Sequence, residues 1–309
     1  MQKHLFTIIL CLFVLIAVAQ DQKKDTIRLF YLGGQSNMDG YGFNAELPDS
    51  LQTTFKNVWI YHGNPAKDEA ADGGLGQWDT LKPGHGVLFS SNGVANSLSD
   101  RFGVELSFAK RLQELYPNET IAIIKYSKGG TAIDSVAANK PYASGSWEPD
   151  YTGANGINQY DHYLTTLKNA LQVTDINGDG IDDVLIPSGI IWMQGESDAF
   201  YTEAIANRYY ANLKRLMDLM RASFHMDDLP IVIGKISDSG AHTGKRTWPY
   251  GTIVQNAQEE YVRKHSNTAI VRSTSQYNYS DSYHYDSKGF IDLGIQFADA
   301  IYKLNKKSR

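Results

Sequence analysis

Residues 27–38 run Ile27-Arg28-Leu29-Phe30-Tyr31-Leu32-Gly33-Gly34-Gln35-Ser36-Asn37-Met38. The segment begins as a buried strand would, apolar and aromatic with a single charge. Gly33-Gly34 ends the run, because glycine allows a sharp turn that a side chain forbids. Ser36 then stands on the tip of that turn, held by the strand and open to a substrate. A serine so placed is a candidate nucleophile when a base reaches it. Without one it is a turn serine bonded to local backbone.

A base is on offer near the other end of the chain, in Asp281-Ser282-Tyr283-His284. His284 lies in a turn-rich segment before a helical pattern, not on an apolar face. Asp281 precedes it by three residues. In a tight turn that spacing brings a carboxylate to the ring nitrogen facing away from the serine, which fixes the tautomer and stabilises the imidazolium. Asp281 also suits a turn or helix cap.

Two further motifs follow apolar runs. Trp192-Met193-Gln194-Gly195-Glu196-Ser197-Asp198 closes the run Leu185 to Met193, and Lys128-Gly129-Gly130-Thr131 follows Ile121 to Tyr126. The Gln194 amide is suited to donate to a developing oxyanion, or to bond across strand ends. Glu196 is suited to support His284, to cap a helix or to join a polar network. A Gly-Gly pair frees backbone N–H groups for an oxyanion hole, although most Gly-rich turns are simply loops.

Around these motifs, strand-like runs (27–32, 58–61, 121–126, 185–193, 231–236 and 268–272) alternate with helical patterns (105–116, 158–171, 203–224, 253–264 and 287–302). In the third helix Ile205, Tyr209, Leu213, Leu216 and Met220 share one face. Alternation of this kind predicts an α/β fold with a mostly parallel sheet and helices on both sides. Catalytic groups then gather on the loops beyond the C-terminal strand ends. The stretches 64–99 and 135–161 read as long irregular loops, which in a compact domain are commonly functional.

Residues 1–19 read as a signal peptide: Lys3, an apolar stretch from Leu5 to Val18, and a small-x-small Ala17-Val18-Ala19 cleavage site. An uncleaved signal anchor is the alternative. Residues 20–309 are then a single domain, long enough to bury a full core. The expected destination is the periplasm or the outside of the cell, with no membrane attachment after cleavage. The only cysteine, Cys11, is in the apolar stretch, so the exported chain would hold no disulfide, thiol nucleophile or cysteine-bound metal. A net charge of −5 and the lack of an internal basic run offer nucleic acid no footprint.

Taken together, the motifs resemble the SGNH-type hydrolases, and more closely the sialate O-acetylesterase-like group that includes the acetylxylan esterases of carbohydrate esterase family six. The carrying residues are 34–38, 129–133, 192–197 and 281–284, with Phe102 to Ala109 similar to the segment before a long helix. The resemblance implies a three-layer α/β/α, flavodoxin-like SGNH fold and a serine esterase that needs no cofactor. It implies catalysis by Ser36 and His284, with Asp281 or Glu196 as the acid, and Asp281 the better placed by spacing. It further implies an oxyanion hole of the Ser36 N–H, the Gly129 N–H and the Gln194 side chain. The expected substrate is an acetylated carbohydrate, such as acetylxylan, another acetylated glycan or a sialic acid.

Sugar contacts are expected from Gln35, Asn37 and Gly130 near the serine, and from loop aromatics Trp78, Tyr142, Trp147 and Tyr151. Asp175, Asn177, Asp179 and Asp183 are spaced like a calcium loop with glycine at the sixth position, but Ile186 stands where a bidentate glutamate belongs. An Asx-rich turn explains the same residues. Two other functions fit the sequence: an SGNH esterase for lipid or aryl esters, and a sugar-binding protein without catalysis.

Overall fold

The computed structural model describes residues 24–152, 158–240 and 244–307. The expected signal peptide, residues 1–19, lies outside the described residues. Among those described, no helix is long and apolar enough to cross a membrane.

The main sheet holds β1 (Thr26–Gly34), β2 (Val58–His62), β3 (Trp78–Thr80), β4 (Thr120–Ser127), β5 (Val184–Met193), β6 (Ile231–Gly234) and β7 (Thr268–Val271). Their order is β7-β6-β5-β1-β4-β2-β3. Every pairing is parallel except β2 with β3. The antiparallel edge strand β3 has no sequence counterpart above. It is three half-buried residues inside a Gly-rich stretch, too short for an alternation to register.

Alternating side chains of β1 reach both faces of the sheet. Phe30 meets Phe108 of α2 (Glu105–Leu115) edge-on, with ring centres 5.4 Å apart. Its neighbour Tyr31 meets Tyr163 of α4 (Gln159–Gln172) at 4.8 Å on the opposite face. Helix α7 (Ser287–Lys307) packs with α2, while α5 (Glu203–Ser223) and α6 (Gly251–Lys264) pack together beside α4. Helices thus cover both faces, the three-layer α/β/α arrangement expected of alternating elements. Short helices α1 (Ser36–Asp39) and α3 (Ser135–Ala138) complete the set.

The position of β1 places the site. After β4 the chain crosses to the far side of β1 to form β5, so the winding direction reverses there. A crevice opens outside the C-terminal ends of the strands at such a reversal. The ends of β1, β4 and β5 carry Ser36, Gly129 and Gln194 respectively.

Beneath them, Lys125 of β4 is fully buried, a position a cation holds only when paired. Its Nζ donates to Glu105 Oε2 at 2.8 Å, to the Asp39 carbonyl at 2.9 Å and to the His85 carbonyl at 2.7 Å. This one cation ties the end of α1 to the start of α2.

Candidate active site

The turn that presents Ser36 depends on a glycine. Gly34 has φ of +145°, and a Cβ there would lie 1.9 Å from the Met193 carbonyl oxygen. The close approach lets Gln35 N–H donate to that same oxygen at 2.9 Å. Ser36 follows as the first residue of α1. We expect Gly34→Ala to cost upwards of about 3 kcal/mol, since a clash with backbone adds to an unfavourable φ. A fall in melting temperature or loss of soluble protein checks this.

Ser36 and His284 line one cleft of about 520 Å³, together with Gln35, Gly129 and Gly130. The His284 ring bonds through Nδ1 to Asp281 Oδ2 at 2.7 Å, which leaves Nε2 for the cleft. Asp281 Oδ1 accepts the backbone N–H groups of Tyr283 at 2.6 Å and His284 at 2.8 Å. Partial burial raises the Asp281 pKa, but bonds from the imidazole and the two N–H groups outweigh it. They hold the carboxyl below its usual range. On the other side, the Tyr41 ring stacks on the imidazole at 3.5 Å and 5°.

Among the described residues Glu196 makes no hydrogen bond to the imidazole. It is 1% exposed, and its Oε1 accepts from Asn37 Nδ2 at 2.8 Å, while Oε2 has no partner among the described residues. Burial pushes its pKa up. The carboxylate on the imidazole is that of Asp281. Asn37, expected to touch substrate, is 1% exposed and spends its amide on Glu196 and on backbone beside His284.

Two of the donors expected for an oxyanion hole are bonded within the protein. Gln194 is fully buried, and its Nε2 donates to Asp198 Oδ2 at 2.7 Å, to the Thr131 carbonyl at 3.1 Å and to Gln35 Oε1 at 3.2 Å. Its amide is committed to holding strand ends together. The Gly129 N–H is committed as well, to Asp39 Oδ2 at 2.7 Å. The Ser36 N–H and the Gly130 N–H have no acceptor among the described residues. Gly129 still matters through its lack of a side chain, since a Cβ would lie 3.2 Å from Ser36 Cβ.

Two carboxylates escaped the sequence reading. Asp39 holds the glycine loop by accepting from Gly129 N–H and from Ser127 Oγ at 2.5 Å. Asp198 accepts from Gln194 Nε2 and from the N–H groups of Ile133 and Asp134. Burial raises both pKa values, that of Asp198 to about 6. Asp198 carries a sequence signal in its place four residues after its partner Gln194, whereas the partners of Asp39 come from a different motif.

Of the residues expected to meet a sugar, only some line the cleft. Trp147 is fully buried, donates to Thr131 Oγ1 at 2.9 Å and packs edge-on against Trp192. Trp78 sits on edge strand β3, donates to the Ala170 carbonyl and faces a separate groove. Tyr151 also lies away from the cleft. Gln35 lines the cleft, but its Oε1 accepts from the N–H groups of Gly195 at 3.4 Å and Ser197 at 3.2 Å. Tyr142 does line the cleft, with 91% of its surface exposed. The rest of the aromatic wall is Tyr41, Phe200, Tyr201, Trp248 and Tyr283.

In the loop 175–183 the acidic oxygens are occupied by the loop itself. Asp175 accepts from the N–H groups of Gly178, Asp179 and Gly180, and Asp183 from that of Ile176. Among the described residues no three His, Cys, Asp or Glu side chains are grouped to hold a metal ion. As they stand these residues form an Asx-rich turn.

Several solved structures share the fold. A protein from Arabidopsis thaliana superposes with a TM-score of 0.60 at 21% identity, over 89% of this chain and 98% of that one. XAC1771 from Xanthomonas citri, described as a novel carbohydrate acetylesterase, superposes with 0.60 at 17% identity, over 90% of this chain and 57% of that one. NanS superposes with 0.58 at 16% identity, over 93% of this chain and 99% of that one. No match is found among curated protein sequences. A family described as "Carbohydrate esterase, sialic acid-specific acetylesterase" matches residues 26–303. With its span covering nearly all of the domain, this chain belongs to the carbohydrate esterase family of sialic acid-specific acetylesterases.

Proposed function

We propose that this chain is an exported serine esterase that removes O-acetyl groups from carbohydrates through an acyl-enzyme on Ser36. One observation carries this: Ser36 and His284 line the same cleft, with Asp281 bonded to Nδ1 of the imidazole at 2.7 Å. In outline, His284 Nε2 takes the Ser36 hydroxyl proton as Oγ bonds to the acetyl carbonyl carbon. The oxyanion rests on the Ser36 and Gly130 N–H groups. Collapse breaks the bond to the sugar oxygen, which leaves with the proton from His284. A water molecule, deprotonated by His284, then attacks the acetyl carbon; the bond to Ser36 Oγ breaks, His284 returns the proton to Oγ, and acetate leaves. No metal or organic cofactor enters any step. Export rests on the 1–19 signal pattern.

The aromatic wall sets which acetylated carbohydrates are taken up. Aromatic faces take up the apolar faces of sugar rings. Tyr142→Ala removes the most exposed of these rings without touching the core. It should raise KM for an acetylated oligosaccharide about tenfold, equal to roughly 1.4 kcal/mol of binding. The same variant should leave 4-nitrophenyl acetate turnover and melting temperature unchanged.

Acetate release from acetylxylan, other acetylated glycans and O-acetylated sialic acids, set against 4-nitrophenyl acetate and butyrate, tests the proposal. Preference for butyrate or longer esters would favour a lipid or aryl esterase. No turnover of any ester would leave only a sugar-binding role.

A further inference from the structure

We propose that Asn37 is a positioning residue that clamps the base to the nucleophile, with Glu196 as its anchor. The inference rests on the serine-esterase proposal above and assigns work to two buried side chains that it leaves unused. The Asn37 amide makes three bonds. Nδ2 donates to Glu196 Oε1 at 2.8 Å and to the Tyr283 carbonyl at 3.2 Å, and Oδ1 accepts from Tyr285 N–H at 3.3 Å. Tyr283 and Tyr285 flank His284, and Asn37 follows Ser36 directly. A single side chain therefore links the element carrying the nucleophile to both sides of the residue carrying the base, across 248 positions of sequence.

The chemistry of the pin explains why asparagine stands there. The site offers two acceptors and one donor, which an amide matches with its two N–H groups and one oxygen. Aspartate would set a carboxylate against Glu196 and against the Tyr283 carbonyl. Alanine would leave Glu196 Oε1 and the Tyr285 N–H unpaired in the interior, where each lost bond is costly. Glu196 reaches this point from the end of β5, the strand beside β1, so the anchor belongs to the rigid sheet. Asp281, by contrast, lies on the same exposed turn as His284 and moves with it. Asp281 orients the ring within the turn, and Asn37 fixes the turn against Ser36.

The test uses the full exported domain and 4-nitrophenyl acetate. Asn37→Ala should lower kcat about 100-fold with KM changed less than about threefold, the pattern of lost orientation rather than lost binding. Exchange of the Tyr285 amide hydrogen, which now bonds to Asn37, should speed up at least about tenfold. Glu196→Gln keeps an oxygen for Asn37 and should hold kcat within about threefold, because a neutral acceptor serves an anchor and fails a charge-bearing triad acid.

Wild-type kcat in Asn37→Ala, or unchanged Tyr285 exchange, overturns the clamp. So does a Glu196→Gln loss as deep as that of Ser36→Ala, which would make the Glu196 charge itself catalytic. Loss of function in Ser36→Ala alongside an intact Asn37→Ala rejects the clamp alone. Activity surviving in Ser36→Ala rejects the esterase mechanism beneath it.

Discussion

Ser36→Ala should reduce kcat for acetate release by about 10,000-fold or more, with the fold intact, since removing a nucleophile leaves only binding and oxyanion contributions. The side chain is small and lines the cleft. Melting temperature should therefore stay within about a degree or two of wild type, as expected when no buried contact is lost. His284→Ala should fall by a similar factor. The double variant should be no worse than either single one, because a nucleophile and its base act as one unit and their losses do not add. Additive losses would show that the two act in separate steps, and turnover surviving in Ser36→Ala would move the nucleophile elsewhere.

The parts of this site that were legible in sequence share one property: their meaning is local. Ser36 follows a strand and a glycine whose missing side chain makes room for the Met193 carbonyl. Asp281 and His284 meet within one turn, so a spacing of three residues carried the contact. The parallel sheet was legible for a related reason, since each strand and each helix announces itself within a short window.

What could not be read was the choice of partner. Gln194 has the right side chain at the right strand end, but Asp198, four residues on, takes its amide. Residue type does not say which of two acceptors wins. Trp147 looked like a loop aromatic and is core, because the stretch around it folds back to form a bridge between Ala132 and Ser146. The true aromatic wall comes from five separate segments around Tyr41, Tyr142, Phe200, Trp248 and Tyr283. No one of these segments has a pattern that sets it apart from the other tyrosine-rich loops. Only the winding of the sheet brings them to one lip.

Asp281→Asn should be the most damaging change after those at Ser36 and His284, with kcat falling about 1,000-fold, and the hydrogen bonds say why. Asp281 Oδ1 takes two backbone N–H groups, from Tyr283 and His284. An asparagine keeps its oxygen on those donors and must then turn its NH2 group toward His284 Nδ1. Nδ1 becomes an acceptor, the ring proton shifts to Nε2, and the imidazole can no longer accept a proton from Ser36. Asp281→Ala forces no tautomer, so at matched pH its kcat should exceed that of Asp281→Asn, while its melting temperature should be lower because two N–H groups lose their acceptor. The linkage sign is also fixed. A carboxyl held below its usual pKa stabilises the fold fully above the ordinary aspartate range, and that contribution is lost as pH falls through the lowered value. Acid melting curves of wild type and Asp281→Ala should therefore converge at low pH and separate as pH rises. If Asp281→Asn keeps more than about a third of wild-type kcat, Nδ1 is not being held by that carboxylate during turnover, and the orienting acid must be sought elsewhere.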